Sequence, residues 1–347
     1  MVKHKLTPRE NYLTALRGEV PEWIPHYTYG PPAPGAPAPA NAMFEPPILG
    51  AHRFSGGGKD IWGVNYIPTE STGNALIPDN RKFILPIDKI THWRDVIKAP
   101  DLSGIDWEQM CREGLEQQPV DRTQTALFFS LHVGYFQLLM SFTGFEDGLL
   151  AFYEEPEAVH ELLEYLSEFY MKIADATLGI VKPDILMLAD DTAAWNSPFI
   201  SADMYREFIL PHHEKFAKRG RERGLLMTMH NCGKCESVID MLVEMGINGW
   251  DPAQSCNDLA GIKRKYGNKL LITGGWDARG RLLAPDVTEE EIRQSVRDVI
   301  DSLAPGGGYA FAGGYLVPNG NTEAARRNAI VTDEAARYCD IFYTARR

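Results

Sequence analysis

The sequence predicts an α/β fold, a single closed (β/α)8 barrel spanning residues 1–347, and three observations carry that prediction. Strand-like and helix-like segments alternate with short connections, which implies a parallel sheet. Eight segments read as strands, the number a closed parallel barrel requires. Residues capable of chemistry recur just after several of these strands, where a barrel gathers its site. A doubly wound open sheet is the competing topology.

The first element carries its own punctuation. Thr7 is an N-cap, Pro8 fits the first helical position, and Glu10 completes a capping box. Leu13, Ala15 and Leu16 give an apolar stripe, and Gly18 ends the helix. Trp23–Tyr29 then reads as a strand. The proline-rich run from Pro31 to Ala40 fits neither a helix nor an inner strand, and is expected to be a long loop at the barrel mouth, with a domain linker as the competing reading. Further strands are expected at Ile61–Tyr66, Ala126–Leu131, Ile185–Ala189, Leu225–His230, Ile247–Trp250, Leu270–Thr273 and Gly308–Ala312.

The helices between them are clearer. Pro156–Ile180 places Val159, Leu162, Leu163, Leu166, Phe169, Tyr170 and Ile173 at helical spacing. Ser201 caps a helix running through Phe208 and His212 to near Gly224, and Thr288 with Glu291 opens another with a capping box. Gly306-Gly307-Gly308 reads as a turn, because no Lys-Ser/Thr follows to make it a phosphate loop.

Composition narrows the class. The chain has 347 residues, 44% of them hydrophobic, enough for a large core. Its net charge of −12 argues against nucleic acid, whose partners present basic faces. No apolar run approaches the roughly 20 residues that span a bilayer, and the N-terminus leads into a helix, so a cytoplasmic protein is expected. The five cysteines are odd in number and scattered, which suits a reducing compartment better than a disulfide framework.

The most informative stretch is Leu225–Cys235. A short apolar strand ends by projecting His230 and Cys232, and residues two apart on an extended chain share a face. Imidazole and thiolate converging on one point suit zinc, with Cys235, Asp191 or water completing the shell. The competing reading is plain burial, since free cysteine is among the most buried residue types. Other strand ends supply His132, Asp190-Asp191, Trp250-Asp251, Trp276-Asp277 and Gly313-Gly314-Tyr315. An extended Asp-Asp pair points its carboxylates to opposite sides, so one of them should face the mouth. A core histidine is the competing reading for His132, and a turn-former before Pro252 that for Asp251. The substrate is expected to touch Asp190, His132, Trp250 and Trp276.

These residues resemble a family. Thr7–Gly18 with Glu22-Trp23-Ile24-Pro25, then Ile200–Phe208, the His-x-Cys-Gly segment, Asn257–Lys263 and Gly274-Gly275-Trp276-Asp277 are similar to the uroporphyrinogen decarboxylase superfamily. The resemblance covers almost the whole chain and implies a uroporphyrinogen decarboxylase-like barrel. True decarboxylases carry an arginine-rich segment after the first strand, which pairs with substrate carboxylates. Here Pro31–Ala40 has no arginine, so that reaction is not expected. The corrinoid-dependent methyltransferase branch holds zinc with His-x-Cys and a distant cysteine. His230 and Cys232 match the first two positions, and Tyr315 stands where the third is expected.

That departure favours taking a methyl group from an ether over giving one to a thiol. Tyr315 or a protonated Asp191 would donate a proton to the departing oxygen, and the many aromatics near the mouth, Tyr27, Tyr29, Trp62, Tyr66, Trp195, Trp250 and Trp276, suit a methoxyaromatic. The resemblance thus implies an O-demethylase component, acting with cobalamin on a separate corrinoid protein, since the remaining sequence leaves no room for a cobalamin domain. A methylcobalamin:thiol methyltransferase, a carboxy-lyase acting on a smaller acid and a non-catalytic binder are the alternatives. A homodimer is compatible with the sequence.

Overall fold

In the computed structural model, residues 3–28, 39–70, 75–315 and 321–344 are described. Tyr29, most of the proline-rich run and the segment after Tyr315 lie outside them. Seven parallel strands form one curled sheet in chain order: β1 (Asn41–Phe44), β2 (Ala126–Ser130), β3 (Ile185–Ala189), β4 (Leu226–His230), β5 (Gly249–Ala253), β6 (Leu271–Gly275) and β7 (Tyr309–Ala312). The eighth stave is barely a strand. His26 bridges Phe311 in parallel, Tyr27 N donates to the Phe311 carbonyl at 2.8 Å, and Phe311 N donates to Pro25 at 2.9 Å. On the other side the Asn41 side chain exchanges two hydrogen bonds with the Thr28 backbone. The segment around His26 therefore closes a (β/α)8 barrel.

Six of the eight expected strands fall where the sequence places them, within a few residues. The strand expected over Ile61–Tyr66 is a correction. Asn65–Pro68 pairs antiparallel with Gly58–Lys59 and Leu76–Pro78 in a separate three-stranded sheet. Its place in the barrel belongs to β1, four residues long and followed closely by two prolines, too short and too interrupted to show a period of two. The helix expected from Ser201 is also interrupted. Tyr205–Ile209 forms a π turn before the helix resumes at Leu210–Glu222. Pro211 lacks the N–H that a continuous α-helix would use there.

Strand alternation sorts the core into two. Outward residues such as Phe129, Leu186, Met229, Trp250 and Ile272 pack against the helices, among them Pro156–Val181. Inward residues Ala126, Phe128, Ile185, Met187, Leu271 and Ala310 meet Tyr12, Leu13 and Leu16 of α1 (Pro8–Leu16). This helix, capped by Thr7 and Glu10 as expected, plugs the barrel at the N-terminal ends of the strands. Arg9 pairs with Asp184, the residue before β3, and Tyr12 reaches up to hydrogen-bond Thr273 on β6. Each large side chain buried in this plug contributes roughly 1.5–3 kcal/mol. No helix among the described residues is long and apolar enough to cross a membrane.

Candidate functional site

The site grows from strand register at the open end of the barrel. Ala189 on β3 lies opposite His230 on β4, which lies opposite Asp251 on β5. Residues in register on neighbouring parallel strands point to the same face. His230 and Asp251 therefore meet, and Asp251 Oδ2 accepts from His230 Nδ1 at 2.7 Å. The sequence offers Asp251 as a strand-end candidate, with a turn-former before Pro252 as the competing reading; in the structure it holds the imidazole. Burial pulls the His230 pKa down, but the charge and hydrogen bond of Asp251 outweigh it and hold the pKa well above its ordinary value.

The other ring nitrogen, Nε2, lies 3.7 Å from Cys232 Sγ. Asp191 completes the group: its Oδ1 accepts from the Cys232 backbone N–H at 2.8 Å, and its Oδ2 from Gln137 Nε2 at 3.2 Å. Ligand atoms of Asp191, His230 and Cys232 all lie within 4.8 Å of one another. Burial raises the Cys232 pKa while the hydrogen bond to His230 opposes it. Cys235 stands apart from this group. It is buried, with its thiol directed at Asn231 and at the Cys232 carbonyl.

The two adjacent aspartates do different work. Asp190 is wholly buried and accepts from the Phe136 and Gln137 backbone N–H groups, at the N-terminus of α2 (Tyr135–Thr143). His213 Nε2 lies 3.3 Å from the same carboxylate. Gly134 makes room for this: a Cβ there would sit 2.5 Å from Asp190 Oδ1. The expectation that Asp190 touches substrate is thus replaced by a role in fixing a helix. It is Asp191 that faces the open end.

Three aromatic expectations change in the same way. Trp250 precedes the inward Asp251, so alternation turns it outward, where it is fully buried and donates to the Asn231 carbonyl. Trp276 is buried, donates to Ser295 Oγ, and meets Tyr315 edge-on at 5.5 Å. Tyr315 has its phenol donated to the Leu282 carbonyl at 3.0 Å and Arg327 against its ring. Its expected role as a free proton donor therefore meets a hydroxyl that is already engaged.

His132 does reach an open space. It has a left-handed backbone (φ 47°), rare for a residue with a side chain, and lines a cavity of about 410 Å³ with His52, Arg53, Tyr66 and Gln137. Burial, helped by the charges of Arg53 and His230, pushes its pKa down to about 4, so the ring is neutral at pH 7. Gln137 joins this cavity to the triad through Asp191. Sequence reasoning missed His52, Arg53, Gln137 and Glu45, because the strand that introduces three of them was itself not visible.

Residues 124–328, more than half the chain, match the family described as uroporphyrinogen decarboxylase (URO-D). The chain belongs to the uroporphyrinogen decarboxylase family. It is 29% identical over 194 residues to a methylated-thiol–coenzyme M methyltransferase of Methanosarcina mazei, covering 54% of this chain and 48% of that protein. It is 26% identical over 129 residues to the methylcobamide:CoM methyltransferase MtaA of Methanosarcina barkeri, covering 37% of each. The chain thus spans half or less of the length of these curated relatives. A solved structure of a methyltransferase from Methanosarcina mazei shares the fold, with a TM-score of 0.62 at 15% identity over 96% of this chain and 100% of that one.

Proposed function

We propose that this chain is a methyltransferase of the corrinoid-dependent type, with Asp191, His230 and Cys232 as the ligands of a zinc ion. The observation that carries the reading is the convergence of carboxylate, imidazole and thiol within 4.8 Å at the open end of the barrel. The donor set suits zinc, and a His held from behind by a carboxylate is the usual second partner of such a ligand. Three protein ligands leave a position for substrate, as catalytic rather than structural zinc sites do. When bound, the ion supplies a Lewis acid for the oxygen or sulfur that carries the methyl group.

The protein's own residues do the rest. Asp251 keeps His230 Nε2 turned toward Cys232, and Gln137 with the Cys232 amide fixes Asp191. The adjoining cavity, walled by Tyr66, Leu76 and Leu138, holds a small molecule and limits the water around it. We read the methyl donor as a small methyl ether, a methoxyaromatic, and the acceptor as the reduced cobalt of a corrinoid on a separate protein. With Tyr315 engaged elsewhere and Asp191 serving as a zinc ligand, an N–H of His132 would meet the departing oxygen.

A second reading, methyl transfer to a thiol, is favoured by the names of both curated relatives, one for a methylated thiol and both for coenzyme M. Mixing the protein with a reduced corrinoid protein and a panel of methyl ethers, thioethers and amines tests the first, and mixing it with a methylated corrinoid protein and thiols tests the second. Loss of the cobalt(I) absorption with ethers supports the first reading. Appearance of cobalt(I) with thiols, and no loss with ethers, selects the second, and no change in either mixture removes methyl transfer. Carbon dioxide released from small acids would instead mark a carboxy-lyase.

A further inference from the structure

One side of the cavity is built from groups that methyl transfer does not use. Glu45 follows β1 directly, and the helix Pro47–Phe54 then carries His52 and Arg53. The Arg53 guanidinium pairs with Glu45, and its Nη1 lies 3.2 Å from His52 Nε2. The order of these groups matters. The Glu45 side chain is 4% exposed and that of Arg53 31%, so the carboxylate stands behind and the cation faces the cavity. Among the described lining residues Arg53 is the one permanent charge, and none is a carboxylate. Burial lowers the pKa of both His52 and His132, so neither ring adds a charge at pH 7.

A cation seated on a hidden counter-ion and turned toward a hollow is arranged to receive an anion. A single guanidinium suits a monoanion: with Nη2 held by Glu45 and the Leu49 carbonyl and Nη1 beside His52, the remaining N–H groups would donate to a carboxylate. The remaining walls, Tyr66, Leu76 and Leu138 with the flat imidazoles, suit a ring, and about 410 Å³ holds one comfortably.

We propose that this half of the cavity is a subsite for the carboxylate of a small ring-bearing substrate, bound by Arg53, so that the opposite end of the molecule meets Asp191, His230 and Cys232. The fate of that opposite end rests on the methyl-transfer reading, and the carboxylate subsite does not.

Calorimetric or ligand-observed NMR binding to the intact chain, without a corrinoid protein, tests it. The probes are para-methoxybenzoate and its uncharged counterpart, para-methoxybenzyl alcohol. The wild type should prefer the carboxylate by about tenfold or more, as a charge-assisted hydrogen bond allows. Arg53→Gln should reduce the preference to within about threefold, and Arg53→Lys should fall between. Because Arg53→Gln leaves Glu45 unpaired, the double variant Glu45→Gln/Arg53→Gln is measured as well, with melting temperature as the check on folding. Equal binding of both probes by the wild type, binding of neither at millimolar concentration, or an unchanged preference in a folded Arg53 variant would overturn the subsite. A chain that prefers the carboxylate but moves no methyl group keeps the subsite and loses the methyl-transfer reading. Methyl transfer without the preference does the reverse.

Discussion

Asp251 Oδ2 accepts a hydrogen bond from His230 Nδ1 at 2.7 Å, and this one contact decides which nitrogen of the imidazole is left for a metal. Asp251→Asn should keep the fold and weaken zinc binding by about 10–100-fold, the usual effect of removing such a partner. Competition with a chromogenic chelator reads this directly. Unchanged affinity would mean that His230 needs no orienting group.

Neighbouring carboxylates should respond in opposite ways. Asp191→Ala should lower bound zinc with little change in melting temperature. Asp190→Ala removes a buried acceptor of two backbone N–H groups and strands His213, and should cost about 3–5 kcal/mol of stability. Elemental analysis and denaturant unfolding of the pair separate the two roles. Cys232→Ala retaining full zinc would exclude the thiol as a ligand.

Tyr315→Phe should leave the methyl-transfer rate within about twofold, well short of the loss expected on removing a positioned acid. Its cost should appear in stability, about 1 kcal/mol for the hydrogen bond to the Leu282 carbonyl. A slowed single-turnover rate that grows with poorer leaving groups would restore Tyr315 to the reaction.

A pH dependence follows from His212, buried beside Tyr135 on the helix Leu210–Glu222. Burial, with help from Lys215, pushes its pKa from 6.5 down to about 4. Between those values the unfolded chain takes up a proton that the folded chain refuses. Stability is therefore lost as pH falls through this window, by up to about 3 kcal/mol. His212→Leu should unfold with a flatter pH profile between about 4 and 6.5. Parallel profiles for the two proteins would assign the slope to other groups.

The legible parts of the fold are those with long periodicity or a complete cap. The helix after Pro156, the capping boxes at Thr7 and Thr288, and the strand ending at His230 all announce themselves locally. β1 does not, because four residues beside prolines carry too little pattern, and with it went Glu45, His52 and Arg53. In the site, proximity in sequence showed His230 and Cys232 but hid what register alone reveals. Asp251 faces inward with His230, so Trp250 must face outward. Tyr315 was read from an expected position in a family pattern, and the Leu282 carbonyl that holds it is more than thirty residues away in sequence.

The helix wedged into the base closes that end of the barrel among the described residues. Tyr12, Leu13 and Leu16 stopper the floor beneath β2, β3 and β6. Whatever reaches the triad must enter, and leave, by the rim. A protein partner large enough to bring a corrinoid to that rim would cover it. The small molecule would then have to be aboard before the partner docks, and its remnant could depart only after the partner has gone. On the methyl-transfer reading, turnover would then have a compulsory sequence of arrivals, set by the stopper at the opposite end from the chemistry.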